Sequence, residues 1–354
     1  MRNIIAQKNE INKYICENNF EFLTSVPRKH IAGMVLSYTR KGSSGKTCEY
    51  SEYTGTYRTS VGHFLSKGKW DSERLNTVQK RRIFKETETV SLKSGKPIYI
   101  SLDDTVCTKT EHQKGAKRPM EEAGWHFSHK DNKMVYGYQF FGAHIASNDT
   151  KLCYSLERYR KDTRTKVEMA KDIIDSLPET DARVIAMCDS WYTCAGLVNL
   201  CTERKITMIG ALKTNRVIFH EGRRTKITDY AKTLSIENFH PIKYNGHDYL
   251  VCRYTGKLNG INNAVVLISY PVDSFGKQGA LSAFLCSDTS LSDEEILFHY
   301  AHRWNIETMF KKQKRYFGLK SFMVRSARAI DRLLIVIVFA GLLFHALSDV
   351  LCFW

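Results

Sequence analysis

Two apolar runs constrain the fold more than anything else in the chain. They are "PIYISLDD" (Pro97 to Asp104) and "RVIAMCD" (Arg183 to Asp189), and both end in carboxylates. The first alternates and is β-branched and the second is apolar, so both read as strands. Between them, "KMVYGYQFFGAHI" (Lys133 to Ile145) and "KLCYSLERYR" (Lys151 to Arg160) flank a "SNDT" turn, which reads as a hairpin. A helix follows in "RTKVEMAKDIIDSL". After the second acid come a helix from Thr193 to Arg204 and a strand in "ITMIGAL". The order βββ-α-β-α-β, with antiparallel strands first and crossovers after, predicts an α/β core: a mixed five-stranded sheet with helices.

The flanks read differently. Residues 1–92 look mainly helical, with "RKGSSGKT" (Arg40 to Thr47) as a linker. Within them "YTGTYRTSVGHFLSKGKW" (Tyr53 to Trp70) reads either as a small helix-turn-helix or as a plain helical hairpin. The core is predicted over residues 93–211, a β-rich insertion with Asn-Gly and Thr-Gly turns over 212–290, and the last core helices over 291–354. The apolar stretch Leu333 to Phe344 falls short of the roughly twenty residues a membrane span needs, so it is expected as a buried helix and no membrane partner is expected. Charges run through the first residues, so no secretory signal is expected. The 10 cysteines show no C-x-x-C and no zinc-type spacing, and they read as reduced thiols of a cytoplasmic protein. A net charge of +16 favours a polyanionic partner, with nucleic acid as the leading candidate.

Acids at the C-terminal edge of a sheet line a crevice or form turns. A further acid stands in "HYAHRWNIETMFKKQKRYFG" (His299 to Gly318), where Glu307 lies among cations. On one continuous helix Tyr300, Arg303, Glu307 and Lys314 share an arc of roughly 60°, beside an apolar stripe that includes Ile306, Met309 and Phe310. Taken alone, that is also the pattern of a solvated face with an i,i+4 ion pair. Three carboxylates brought to one point repel one another unless cations lie between them, and hard oxygen ligands select Mg²⁺ or Mn²⁺.

These residues resemble bacterial cut-and-paste DDE transposases of the insertion-sequence-four superfamily. Tyr300, Arg303, Glu307 and Lys314 fit the spacing of the Y-R-E-K signature, and "LDDTV" and "CDSWYT" are similar to the two strand-end acid motifs. The resemblance runs from about Pro97 to about Arg328. It implies a ribonuclease-H-like catalytic core interrupted by the β-rich insertion and preceded by a helical DNA-binding domain. It further implies Asp104, Asp189 and Glu307 as catalytic ligands of two Mg²⁺ or Mn²⁺ ions, one activating the attacking oxygen and one stabilising the leaving oxygen. Asp104 is selected because it directly precedes threonine, leaving Asp103 in a supporting place. Tyr300, Arg303, Lys311, Lys314 and Arg216 are expected to contact DNA.

The implied activity is cleavage at the terminal inverted repeats of an insertion sequence and joining of the 3′ ends to target DNA, by a homodimer on paired ends, in the bacterial cytoplasm and nucleoid-associated when bound. The alternatives are a DNA-binding remnant without transposition activity and a cellular nuclease on the same fold. The loop from Cys107 to Lys133, with Lys109, Lys114, Lys117, Arg118 and Lys130, reads either as a DNA-backbone contact or as a solvated loop, and Asn215, Arg216, Arg223 and Arg224 add basic surface at the start of the insertion. The insertion has no tryptophan, so Tyr244, Tyr249 or Tyr254 would have to stack an unpaired base.

Overall fold

Side chains alternate along β1 (Ile98–Thr108), which puts Ile98, Ile100, Leu102 and Asp104 on one face and Tyr99, Ser101, Asp103 and Thr105 on the other. The computed structural model describes residues 2–39, 46–111, 115, 117, 119–128, 131–244, 246–277 and 279–351. β1 pairs antiparallel with β3 (Lys133–Ser147) from Tyr99↔Ala146 to Thr108↔Gly137, and parallel with β5 (Val184–Cys188) only as far as Leu102↔Cys188. Both acids of β1 therefore stand just past the end of the parallel ladder.

β4 (Thr150–Arg158) returns along β3, and β6 (Thr207–Leu212) lies parallel to β5, giving the order β4-β3-β1-β5-β6. Helices α6 (Lys166–Asp175) and α7 (Ala195–Glu203) make the crossovers. Thr165 starts the first of them sharply, accepting from the Glu168 N–H while the Glu168 carboxylate accepts from the Thr165 N–H. The mixed α/β arrangement, with antiparallel strands first and parallel ones after, matches the order of elements in the sequence. A further short strand, β2 (Gly124–Ser128), joins the start of β3 and had no sequence signal.

The segment expected as an insertion is β-rich: β7 (Val217–His220), β8 (Arg223–Lys226), α8 (Ile227–Thr233), β9 (His240–Tyr244), β10 (His247–Leu258), β11 (Ile261–Pro271) and β12 (Ser282–Cys286). Its strands prolong the core sheet. β12 pairs antiparallel with β6, from Ala283↔Leu212 to Cys286↔Ile209, and the order continues β12-β11-β10-β7-β8 in one 12-stranded sheet.

Before the sheet come α1 (Arg2–Glu17), α2 (Ser25–Ser37), α3 (Thr47–Thr54), α4 (Arg58–Ser66) and α5 (Ser72–Ser94). Most of the expected linker, residues 40–45, lies outside the described residues. The expected helical pair at Tyr53 to Trp70 is the end of α3 and all of α4, joined through Gly55 at a φ of +61°.

The final helix, α11 (Ala327–Ala346), is long and apolar enough to cross a membrane by length and composition, but it is largely buried, packed on β4, α4, α5 and α2. Arg332, buried within it, donates to the carbonyls of Phe64, Leu65, Gly68 and Trp70 and lies over the Trp70 ring, so the N-terminal helices are bolted to the core.

The stretch expected as one helix is two: α9 (Asp293–Ala301) and α10 (Trp304–Tyr316). At the junction His302, Arg303, Asn305 and Ile306 donate to carbonyls three residues back in place of four, which tightens the turn. His302 stacks on Tyr99 with ring centroids 4.1 Å apart and planes 8° apart, and Tyr99 bonds His299, so β1 holds the break.

Candidate active site

Asp103 lies opposite Gly142 in the β1–β3 ladder, and this face of the sheet carries α10: a Cβ added to Gly142 would stand 2.7 Å from the Phe310 ring. The quartet read from the sequence reaches this face despite the break before α10. Arg303 donates to Asp103 at 3.5 Å and to Glu307 at 2.7 Å, bridging the two carboxylates. Lys314 donates to the Thr105 hydroxyl at 2.6 Å and the Val106 carbonyl at 3.0 Å. The Tyr300 hydroxyl reaches the Cys188 carbonyl at 3.5 Å, next to Asp189, and its ring packs on Phe284. Lys311 is exposed on α10.

Burial raises the Asp103 carboxyl to about 7, and the negative charges of Asp189 and Asp104 push the same way against Arg303 and the Asp104 N–H. That response puts Asp189 within electrostatic reach of Asp103. Asp189 itself accepts from the Trp191 N–H at 2.9 Å, which fixes the turn after β5.

Asp104 stands elsewhere. The family pattern selected it, but alternation turns it to the opposite face, where it takes an ion pair from Lys166 at 2.7 Å and hydrogen bonds from Tyr192 and Gln139. Asp103 thus faces Glu307 across Arg303, while Asp104 is held on the other face by Lys166, Tyr192 and Gln139. The sequence signal that separates the two is the alternation itself, with Asp103 on the Tyr99 face that α9 and α10 cover.

The carboxylates of Asp103, Asp189 and Glu307 are hard oxygen donors of the kind that divalent cations select. Among the described residues no three acids, histidines or cysteines converge closely enough for a shared ion, and the positive charge between Asp103 and Glu307 is Arg303.

The other expected contacts divide. Lys109 donates to the Lys320 and Phe322 carbonyls and lies 3.6 Å from the Phe322 ring centroid; burial lowers its ammonium to about 8. It ties the end of β1 to the segment before α11. Lys114, Arg118 and Lys130 lie outside the described residues, while Lys117 is exposed. Arg223 and Arg224 are exposed on the outer strand β8. Arg216 donates to the Thr193 carbonyl at 3.0 Å at the mouth of a cavity of about 390 Å³. Tyr254 is buried with its hydroxyl bonded to the Phe219 and Lys257 carbonyls, which removes it as a stacking surface. Tyr244 and Tyr249 line a cavity of about 340 Å³ with Phe284, Tyr300, Arg303 and Trp304.

A family model described as the transposase DDE domain matches residues 94–343, and the chain belongs to that family. It is accordingly an enzyme that cuts DNA and transfers strands. No curated protein matches the chain. Among solved structures the chain is similar to the piggyBac transposase synaptic complex with hairpin DNA, determined by cryo-EM, at 14% identity and a TM-score of 0.49, over 91% of this chain and 67% of that one.

Proposed function

We propose that the chain is the transposase of an insertion sequence, with Asp103, Asp189 and Glu307 as its catalytic carboxylates on a ribonuclease-H-like core. The observation that carries this reading is the single crevice wall where Asp103, Arg303 and Glu307 interact, with Asp189 acting on Asp103 and Lys314 of α10 bonded to Thr105, two residues along β1. The strand order β4-β3-β1-β5-β6 supports the core. Y-R-E-K membership rests on the spacing of Tyr300, Arg303, Glu307 and Lys314 and on their common approach to the crevice.

Enzymes of this family generally use divalent metal ions. Two Mg²⁺ or Mn²⁺ ions on the three carboxylates would polarise the attacking and leaving oxygens of a phosphodiester. The residues of the chain do the rest. Arg303, on the crevice wall between Asp103 and Glu307, would hold the scissile phosphate with a planar fork of donors. Lys314 sits on the same face as a point charge for a neighbouring phosphate. Tyr300 closes the side of the crevice next to β12. Tyr244 or Tyr249 can stack an unpaired base in the adjoining cavity.

The N-terminal helices and the cations of β8 are proposed to grip the terminal inverted repeats, and a homodimer to pair two ends, in the bacterial cytoplasm. Incubation with a DNA fragment carrying those repeats should give Mg²⁺-dependent cuts that a chelator abolishes and E307Q lacks, with end binding retained. Binding without cutting by the unaltered chain would leave a DNA-binding remnant. Cutting without any joining of the 3′ ends would leave a nuclease.

A further inference from the structure

Trp191 is an exposed indole at the catalytic edge that nothing in the core accounts for. It is 54% exposed, although large apolar rings are normally buried, and the Trp191 backbone N–H donates to the carboxylate of Asp189, one of the proposed catalytic acids. Two ammonium groups flank its ring: Lys166 at 4.9 Å from the centroid and Lys213 at 5.0 Å.

These two lysines differ. Lys166 is mostly covered, pinned to Asp104 at 2.7 Å, and also close to the Tyr159 and Tyr192 rings, so it holds the indole from the protein side. Lys213 is exposed, on the loop after β6 that leads to Arg216. That loop, residues Thr193 to Ala195 and the tip of the β10–β11 hairpin enclose the cavity of about 390 Å³ into which Lys213, Asn215 and Arg216 face. The hairpin tip is docked by Asn199 on the Gly260 carbonyl at 3.1 Å, and Gly260 has a φ of +82° with no room for a side chain beside Ala195.

A clamped aromatic ring with cations beside it is the arrangement that binds single-stranded nucleic acid: the base stacks on the ring and the backbone runs past the cations. We propose that Trp191 is a stacking platform for an unpaired base of the DNA strand at the catalytic edge, and that Lys213 and Arg216 take the flanking phosphates. As the base arrives, the Lys213 ammonium leaves the ring for a phosphate, while Lys166 stays on Asp104 and keeps the indole in place. This rests on the transposase reading but concerns a different surface from the cavity of Tyr244 and Tyr249.

The test uses the full chain and two probes of one mixed sequence, a single-stranded oligonucleotide of about 20 nucleotides, on the order of one protein site, and the matching blunt duplex, each with 2-aminopurine at one position. Trp191→Ala is expected to weaken single-strand binding about tenfold and to abolish the 2-aminopurine quenching that stacking produces. Trp191→Phe should keep most of both, and duplex binding by either variant should stay within about twofold. The position is exposed, and an unchanged circular dichroism melt shows that the alanine variant keeps the fold. Single-strand affinity and quenching that survive Trp191→Ala, or equal losses on the two probes, would overturn the platform and leave the transposase reading standing. Failure of the unaltered chain to bind either probe would overturn both.

Discussion

At position 103 a carboxylate sits among apolar neighbours and beside two other acids, which makes it a titrating group in the neutral range. Its pKa is about 7 in the folded chain against an ordinary 3.8. Between those values the folded chain holds a proton that the unfolded chain has lost, so metal-free stability should fall as pH rises from about 4 to about 7 and level off above. Asp103→Asn removes this dependence. In urea melts with chelator present it should be more stable than the parent near pH 8, by on the order of 1–3 kcal/mol, with the difference closing toward pH 4. Equal pH profiles for the two proteins would mean that Asp103 is not the shifted group. A divalent cation competes with the same proton, so Mn²⁺ affinity measured by calorimetry should rise as pH climbs through about 7 and lose this rise in the asparagine variant.

At the scale of elements, the close seat of α10 on β3 sets where Glu307 stands. Gly142 makes it possible, since a side chain there would meet Phe310 at 2.7 Å and Met309 at 3.2 Å. Gly142→Val should therefore lift α10, cost about 1–3 kcal/mol of stability by overpacking, and reduce cleavage far more than end binding. Unaltered cleavage would show that the helix can shift without moving its acid.

Much of this layer was legible in the sequence. The strands of Ile98, Lys133, Val184 and Thr207 announce themselves by β-branched and apolar runs, and the spacing of Arg303, Glu307 and Lys314 survives in their contacts. The break at Ala301 was not legible, because it is held by His302 stacking on Tyr99, a residue some two hundred positions earlier. Alternation places Asp103 and Asp104 on opposite faces of β1, but which face α10 covers depends on long-range packing. The extension of the core sheet by β12 was hidden for the same reason, since strand signals carry no information on their partners.

At the scale of the whole molecule, a net charge of +16 predicts binding dominated by phosphate contacts. End-DNA affinity should drop steeply with salt, with a log–log slope of about −0.9 for each neutralised phosphate, and Arg223→Ala with Arg224→Ala should make that slope shallower by about 2. A slope near zero in the unaltered chain would rule out backbone tracking. The chain is a strand-transferring enzyme, and the proposed place of Asp103 at its centre is open to a direct comparison. Mg²⁺-dependent cleavage of end DNA should be measured for Asp103→Asn and for Asp104→Asn, the latter made together with Lys166→Met so that no unpaired buried charge is left behind. Loss of cleavage in the first with substantial cleavage in the second is the predicted result. Cleavage that persists in Asp103→Asn and vanishes in the Asp104 variant would contradict the assignment of the crevice.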